Sequence, residues 1–143
     1  MTNGIYELLD TKFEMFPVLV AGPATALEID RIEQFAEFSL PHTYKEFISR
    51  YGGAVVGAYS IFGSGAASAM GADEGSVVDV TKRLRAQQWP GAENSLVISV
   101  DLGGNAIMMN GLGQISRFDH DFGATDILAN DFGDFILNFC LKG

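Results

Sequence analysis

Residues 101–121 read DLGGNAIMMNGLGQISRFDHD, and the reading of this stretch decides the fold. Its residue types are those of a reactive site: Asp101, Asn105, Asp119, His120 and Asp121 carry oxygens and ring nitrogens that bind metals or move protons. Its spacing is that of a β-meander. Asp101, Gly103, Gly104 and Asn105 are turn residues, able to adopt positive φ or to bond their own backbone. Two strands follow, Asn105–Asn110 and Gln114–Phe118, joined by Gly111-Leu112-Gly113, with Ile107, Met109 and Ile115 as alternate core contacts. An EF-hand loop asks for oxygen ligands at alternate positions, a central glycine and a closing glutamate. Gly103, Ala106 and Leu112 stand where those are needed, so calcium is rejected.

The other apparent sites fail similar tests. If Asp119-His120-Asp121 continues the strand, the imidazole points away from both carboxylates, because side chains alternate faces. Zinc needs three or four ligands, and the only other histidine, His42, falls on a helix. No G-x-S-x-G elbow supports a serine triad. Cys140, the only cysteine, lies in an apolar stretch where burial makes a thiol a poor nucleophile. Gly63-Ser64-Gly65-Ala66-Ala67-Ser68 approximates a phosphate cradle, but no helix opens within it. No catalytic residues, metal ligands or cofactor are therefore expected.

Outward from the meander, Ser95–Val100 is an apolar strand. Phe132, Phe135, Ile136, Phe139 and Cys140 recur at helical spacing, with Asn130 as N-cap. Upstream, Ser76 and Asp79 cap a helix through Val77, Val80, Thr81 and Leu84, which Trp89-Pro90-Gly91 stops. Residues 63–75 form a loop of small residues, long enough to suggest binding or mobility. Ala54–Phe62 reads as one strand. Tyr44, Phe47, Ile48 and Tyr51 give a buried helical stripe opened by Pro41 and closed by Gly52-Gly53. Before it, Thr25 and Glu28 form a capping box for a helix through Ile29, Ile32, Phe35 and Ala36. Residues 1–16 suggest a short helix through Ile5, Leu8, Leu9 and Phe13. This order is α+β in a single domain spanning residues 1–143.

Composition sets limits on function. At 143 residues, 48% hydrophobic and 19% charged, the chain can bury a core. Its formal charge is −9, and it lacks the basic stripe expected of a nucleic-acid binder. The same charge disfavours anionic membranes. No run reaches the roughly 18 apolar residues of a membrane span, and the first residues lack a secretory pattern, so a cytoplasmic location is expected. Acidity alone need only serve solubility, although it also suits a basic protein partner.

Together these segments resemble a known family. Ile29-Asp30-Arg31-Ile32-Glu33-Gln34-Phe35, Leu40-Pro41, Tyr44-Lys45-Glu46-Phe47-Ile48 and Tyr51-Gly52-Gly53 are similar to the opening of the SUKH superfamily. Trp89, the strand to Val100 and Asp101, Gly103-Gly104-Asn105, Asn110-Gly111, Ile115 and Asp119-His120 resemble its central meander. Ala129–Ile136 resembles its closing helix. The resemblance covers about residues 25–141. It implies a curved, mostly antiparallel sheet with a central meander, packed against helices, and no enzymatic activity. It also implies the role of its bacterial members, largely immunity proteins that neutralise toxins, many of them nucleases; fungal relatives regulate cell-wall assembly. The expected partner is then a basic cognate toxin domain, with Asp73, Glu74, Asp119 and Asp121 as candidate contacts. A general interaction scaffold and a small hydrolase built on His120 are the rival readings.

Overall fold

The computed structural model describes residues 3–71 and 74–141. Helix α1 (Asn3–Met15) buries Tyr6, Leu9 and Phe13. Leu8, expected in that stripe, faces solvent, and Tyr6 takes the inward position. A 3-10 turn (Pro17–Leu19) leads to α2 (Ala26–Ala36). The Thr25–Glu28 capping box is present in both directions, at 2.9 and 3.1 Å, which satisfies two free N–H groups where α2 begins. Helix α3 (His42–Tyr51) buries all four residues of its expected stripe and starts just after Pro41.

Tyr51 anchors this helical layer. Its hydroxyl donates to Asp10 Oδ1 at 2.7 Å. Phe13 and Phe47 meet its ring edge-on at 4.9 and 5.1 Å, a favoured arrangement for aromatic quadrupoles.

Ala54–Phe62 is a hairpin rather than one strand: β1 (Ala54–Val56) pairs with β2 (Tyr59–Ile61). Gly57 allows the reversal at φ 61°. Any Cβ there would collide with the Cys140 carbonyl oxygen. Residues 63–71 and 74–76 then lead into α4 (Val77–Ala86), with the Ser76 hydroxyl accepting from the Asp79 N–H at 3.1 Å. Gly63, at the start of this loop, brings two backbones together. A Cβ at Gly63 would overlap the Gly52 carbonyl oxygen, and the Gly63 carbonyl accepts the first N–H of α4 at 2.8 Å.

The strands β3 (Leu96–Val100), β4 (Ala106–Met109), β5 (Ile115–Asp119) and β6 (Ala124–Ala129) complete a six-stranded sheet. Its order is β1-β2-β3-β4-β5-β6, and every neighbouring pair is antiparallel. The α+β class and the meander expected from the sequence are thus present. Strand β6 was not expected, because residues 120–129 had no assigned element. The closing segment is one α-helical turn, α5 (Phe132–Phe135), continued as a π-helical turn over Ile136–Cys140. Asp131, not Asn130, is its N-cap and accepts from the Asp134 N–H at 2.8 Å.

Consecutive strand residues face opposite sides, so the register sorts the sheet into two faces. One carries Ala54, Tyr59, Ile61, Ile107, Met109 and Ile115, and Tyr59 packs on Phe135 with ring centroids 5.6 Å apart. The opposite face carries Val97, Met108 and Phe118. There the loop after α4 lies on the sheet, with Trp89 edge-on to Phe118 at 5.8 Å. All four residues of β4 are buried, so both faces are covered at the centre.

Candidate interaction face at the turn end of the sheet

Antiparallel strands alternate in direction, so the turns at 57–58, 101–105 and 120–123 all lie at one end. In the middle turn, Asp101 Oδ1 accepts from the N–H groups of Gly103 and Asn105, both at 2.9 Å. Asn105 then reaches across to the third turn. Its Oδ1 accepts the His120 N–H at 3.1 Å and lies 2.6 Å from Nδ1 of the same residue. The backbone donor fixes that atom as oxygen, so Nδ1 carries a proton and donates. The other ring nitrogen, Nε2, lies 3.4 Å from Asp121 Oδ1.

The strand ends at Asp119, so His120 lies in a turn and approaches Asp121 instead of opposing it. Asp119 Oδ1 accepts the N–H groups of Asp121 and Phe122, at 2.9 and 3.3 Å. This carboxylate holds the turn closed, whereas the exposed Asp121 points outward with His120 beside it. Between the two turns, Arg117 lies 3.8 Å from Asp101 and 3.9 Å from Asp126. Its Nε is buried and without a hydrogen-bond partner, so the guanidinium is held by the flanking carboxylates through its terminal nitrogens.

Of the other expected contact residues, Asp73 lies outside the described residues. Glu74 borders a cavity of about 310 Å³ with Ser60, Phe62, Arg83, Asp101 and Leu102. Its Oε1 accepts the Gly71 N–H at 2.9 Å. The structure therefore places Glu74 on one flank of the Asp101 turn, and Asp119 and Asp121 on the other.

The turn tips carry residues the sequence reading left without a role. Leu102 is 88% and Phe122 85% exposed, among the highest values for large apolar side chains here. Isolated surface hydrophobes are ordinary. Two such residues on adjacent turns at one end of a sheet, bordered by the exposed carboxylates of Asp121 and Asp126, have the make-up of a binding surface, with apolar anchors inside a charged rim. Among the described residues, no three His, Cys, Asp or Glu side chains are grouped to hold a metal ion.

A scan against protein families matches residues 23–138 to the SMI1 / KNR4 family (SUKH-1). The chain belongs to this family. The match runs from the turn before α2 into the π-helical turn, and so includes the whole sheet and every residue of the turn-end face. Helix α1 lies before it. A search of curated proteins found no match. Among the described residues, no helix is long and apolar enough to cross a membrane.

Proposed function

We propose that this SUKH-1 domain is a non-enzymatic cytoplasmic immunity protein, which neutralises a cognate bacterial toxin by binding it at the turn end of the sheet. The observation that carries this reading is the joint placement of exposed Leu102 and Phe122 beside the exposed carboxylates of Asp121 and Asp126 in a chain of charge −9. A basic toxin, such as a nuclease with a cationic substrate cleft, complements that face. Charge pairing of this kind speeds encounter toward about 10⁸–10⁹ M⁻¹s⁻¹ at low salt, and apolar anchors slow release. His120 serves the same end. Its backbone N–H and its Nδ1 both meet Asn105 Oδ1, which ties the turn that presents Phe122 to the Asp101 turn.

Co-expression with the product of an adjacent toxin-like gene in a sensitive host tests the reading. Rescue by the wild-type chain, lost in an Asp121→Lys/Phe122→Ala variant that still folds, is the expected result. Survival no better than with the toxin alone overturns the pairing. A His120→Ala variant that keeps rescue removes the hydrolase alternative.

A further inference from the structure

The two edges of the sheet differ. At β1, Val20 bridges to Ala54, and the Ala21 N–H donates to the Gly53 carbonyl at 2.8 Å, so the chain covers its own edge. At β6, among the described residues, none of the backbone hydrogen bonds outside the regular ladders involves residues 124–129.

The register identifies the free groups. The Asn110 N–H donates to the Gln114 carbonyl at 3.2 Å, which makes that a hydrogen-bonded pair. Such pairs alternate along an antiparallel ladder. Ser116 and Phe118 therefore bond toward β4, and Arg117 and Asp119 bond toward β6 at Asp126 and Ala124. Thr125 and Ile127 are left with N–H and C=O groups directed outward. Edge strands are commonly protected by lysine, proline or a β-bulge. Strand β6, ATDILA, has no lysine or proline, and its register shift falls beyond Ile127, toward Ala129, leaving residues 124–127 in regular pairing.

We propose that β6 takes up an extended, basic segment of the partner as a seventh strand. The alternation sets the chemistry of that segment. Thr125 and Ile127, the latter 67% exposed, lie on the same face as Phe118 and call for apolar neighbours. Asp126 lies on the other face; it meets Arg117 at 3.9 Å on one side, but its side chain is 61% exposed and leaves room for a second cation, lysine or arginine. Asp121 before the strand, and Asp131 and Asp134 after it, extend the demand for positive charge. A second copy of this chain would set those carboxylates against their own kind, which favours a basic partner over self-pairing. The inference rests on the toxin-binding reading and deepens it by specifying the bound segment.

The test uses the full chain and two ten-residue peptides of identical composition, one alternating lysine and valine, the other with them in two blocks. The expected result is tighter binding of the alternating peptide, with new hydrogen-exchange protection at the Thr125 and Ile127 amides. Ile127→Pro removes one outward donor without touching the β5 ladder, and should weaken binding by about three- to tenfold. Methylating alternate amides of the peptide should have a similar effect and does not depend on the variant folding. Equal binding of both peptides, or no binding of either, overturns strand addition. So does wild-type self-association abolished by Ile127→Pro, which would assign the edge to a second copy. Rescue by the co-expressed chain in a host carrying the toxin remains an independent readout, so strand addition can fail while the immunity reading stands.

Discussion

Val97, the second residue of β3, lies where β2 no longer reaches that strand. Strand β2 pairs at Ser60 and Ile61, and the Phe62 N–H then reaches the Ile98 carbonyl. The Val97 N–H is satisfied instead by helix α4, through the fully buried Thr81 Oγ1 at 2.9 Å. Thr81→Val keeps the shape and removes the acceptor. A buried N–H left without a partner costs about 1–3 kcal/mol, and the added methyl group returns roughly 0.8 kcal/mol through burial. The net loss should be about 0.2–2 kcal/mol. For a chain of this size that lowers Tm by roughly 1–8 °C. Thr81→Ser keeps the oxygen and removes a methyl, so a similar loss of about 1 kcal/mol is expected for a different reason. Native-state hydrogen exchange separates the two. The Val97 amide should lose protection relative to Ile98 in Thr81→Val and keep it in Thr81→Ser. A Thr81→Val protein as stable as wild type, with an unchanged Val97 amide, would refute the assignment of α4 as the partner of that strand.

Other outcomes follow from the same structure. Asp121→Lys should slow association with a basic partner and flatten its salt dependence, measured by stopped-flow at two ionic strengths, because rim charges act mainly on the on-rate. Leu102→Ala and Phe122→Ala should leave thermal stability within about 0.5 kcal/mol, while at least one weakens partner binding by more than about 1 kcal/mol in calorimetry. Burial pushes the Cys140 thiol well above its ordinary pKa, so a thiol reagent at neutral pH should modify it only after denaturant is added. All four tyrosines, Tyr6, Tyr44, Tyr51 and Tyr59, have raised pKa values, chiefly through burial. A phenol whose folded pKa exceeds its unfolded value of about 10 contributes stability that is lost as pH rises past that value. Absorbance at 295 nm should therefore stay flat near pH 10 and rise together with loss of circular dichroism at higher pH.

What the sequence revealed depended on how local each signal was. The Thr25–Glu28 box and the Ser76 cap could be read because donor and acceptor lie three residues apart. The stripe Tyr44, Phe47, Ile48 and Tyr51 was legible from its period. The β1–β2 hairpin was not, because apolar residues run on both sides of Gly57 and hide the reversal. Strand β6 was missed for the opposite reason: an edge strand with Thr125 and Ile127 in solvent shows no core-facing alternation. At the candidate face, Asp119, Asp121 and Glu74 were named from charge alone. Their arrangement around Asp101 and Arg117 depends on register between strands, and Asn105 meets His120 across 15 positions. That Leu102 and Phe122 stand exposed could not follow from residue type, which would have placed both inside.

Helix α1 lies before the stretch that matches the family, yet Tyr6, Leu9 and Phe13 belong to the same core as the sheet. The segment by which relatives are recognised is therefore shorter than the segment that folds together. A fragment cut at the start of the match would leave the Tyr51 hydroxyl without Asp10 and its ring without Phe13, uncovering aromatic surface on the side of α3 that α1 now seals. Loss of solubility in such a fragment would then report missing packing, not a fault in the domain that remains.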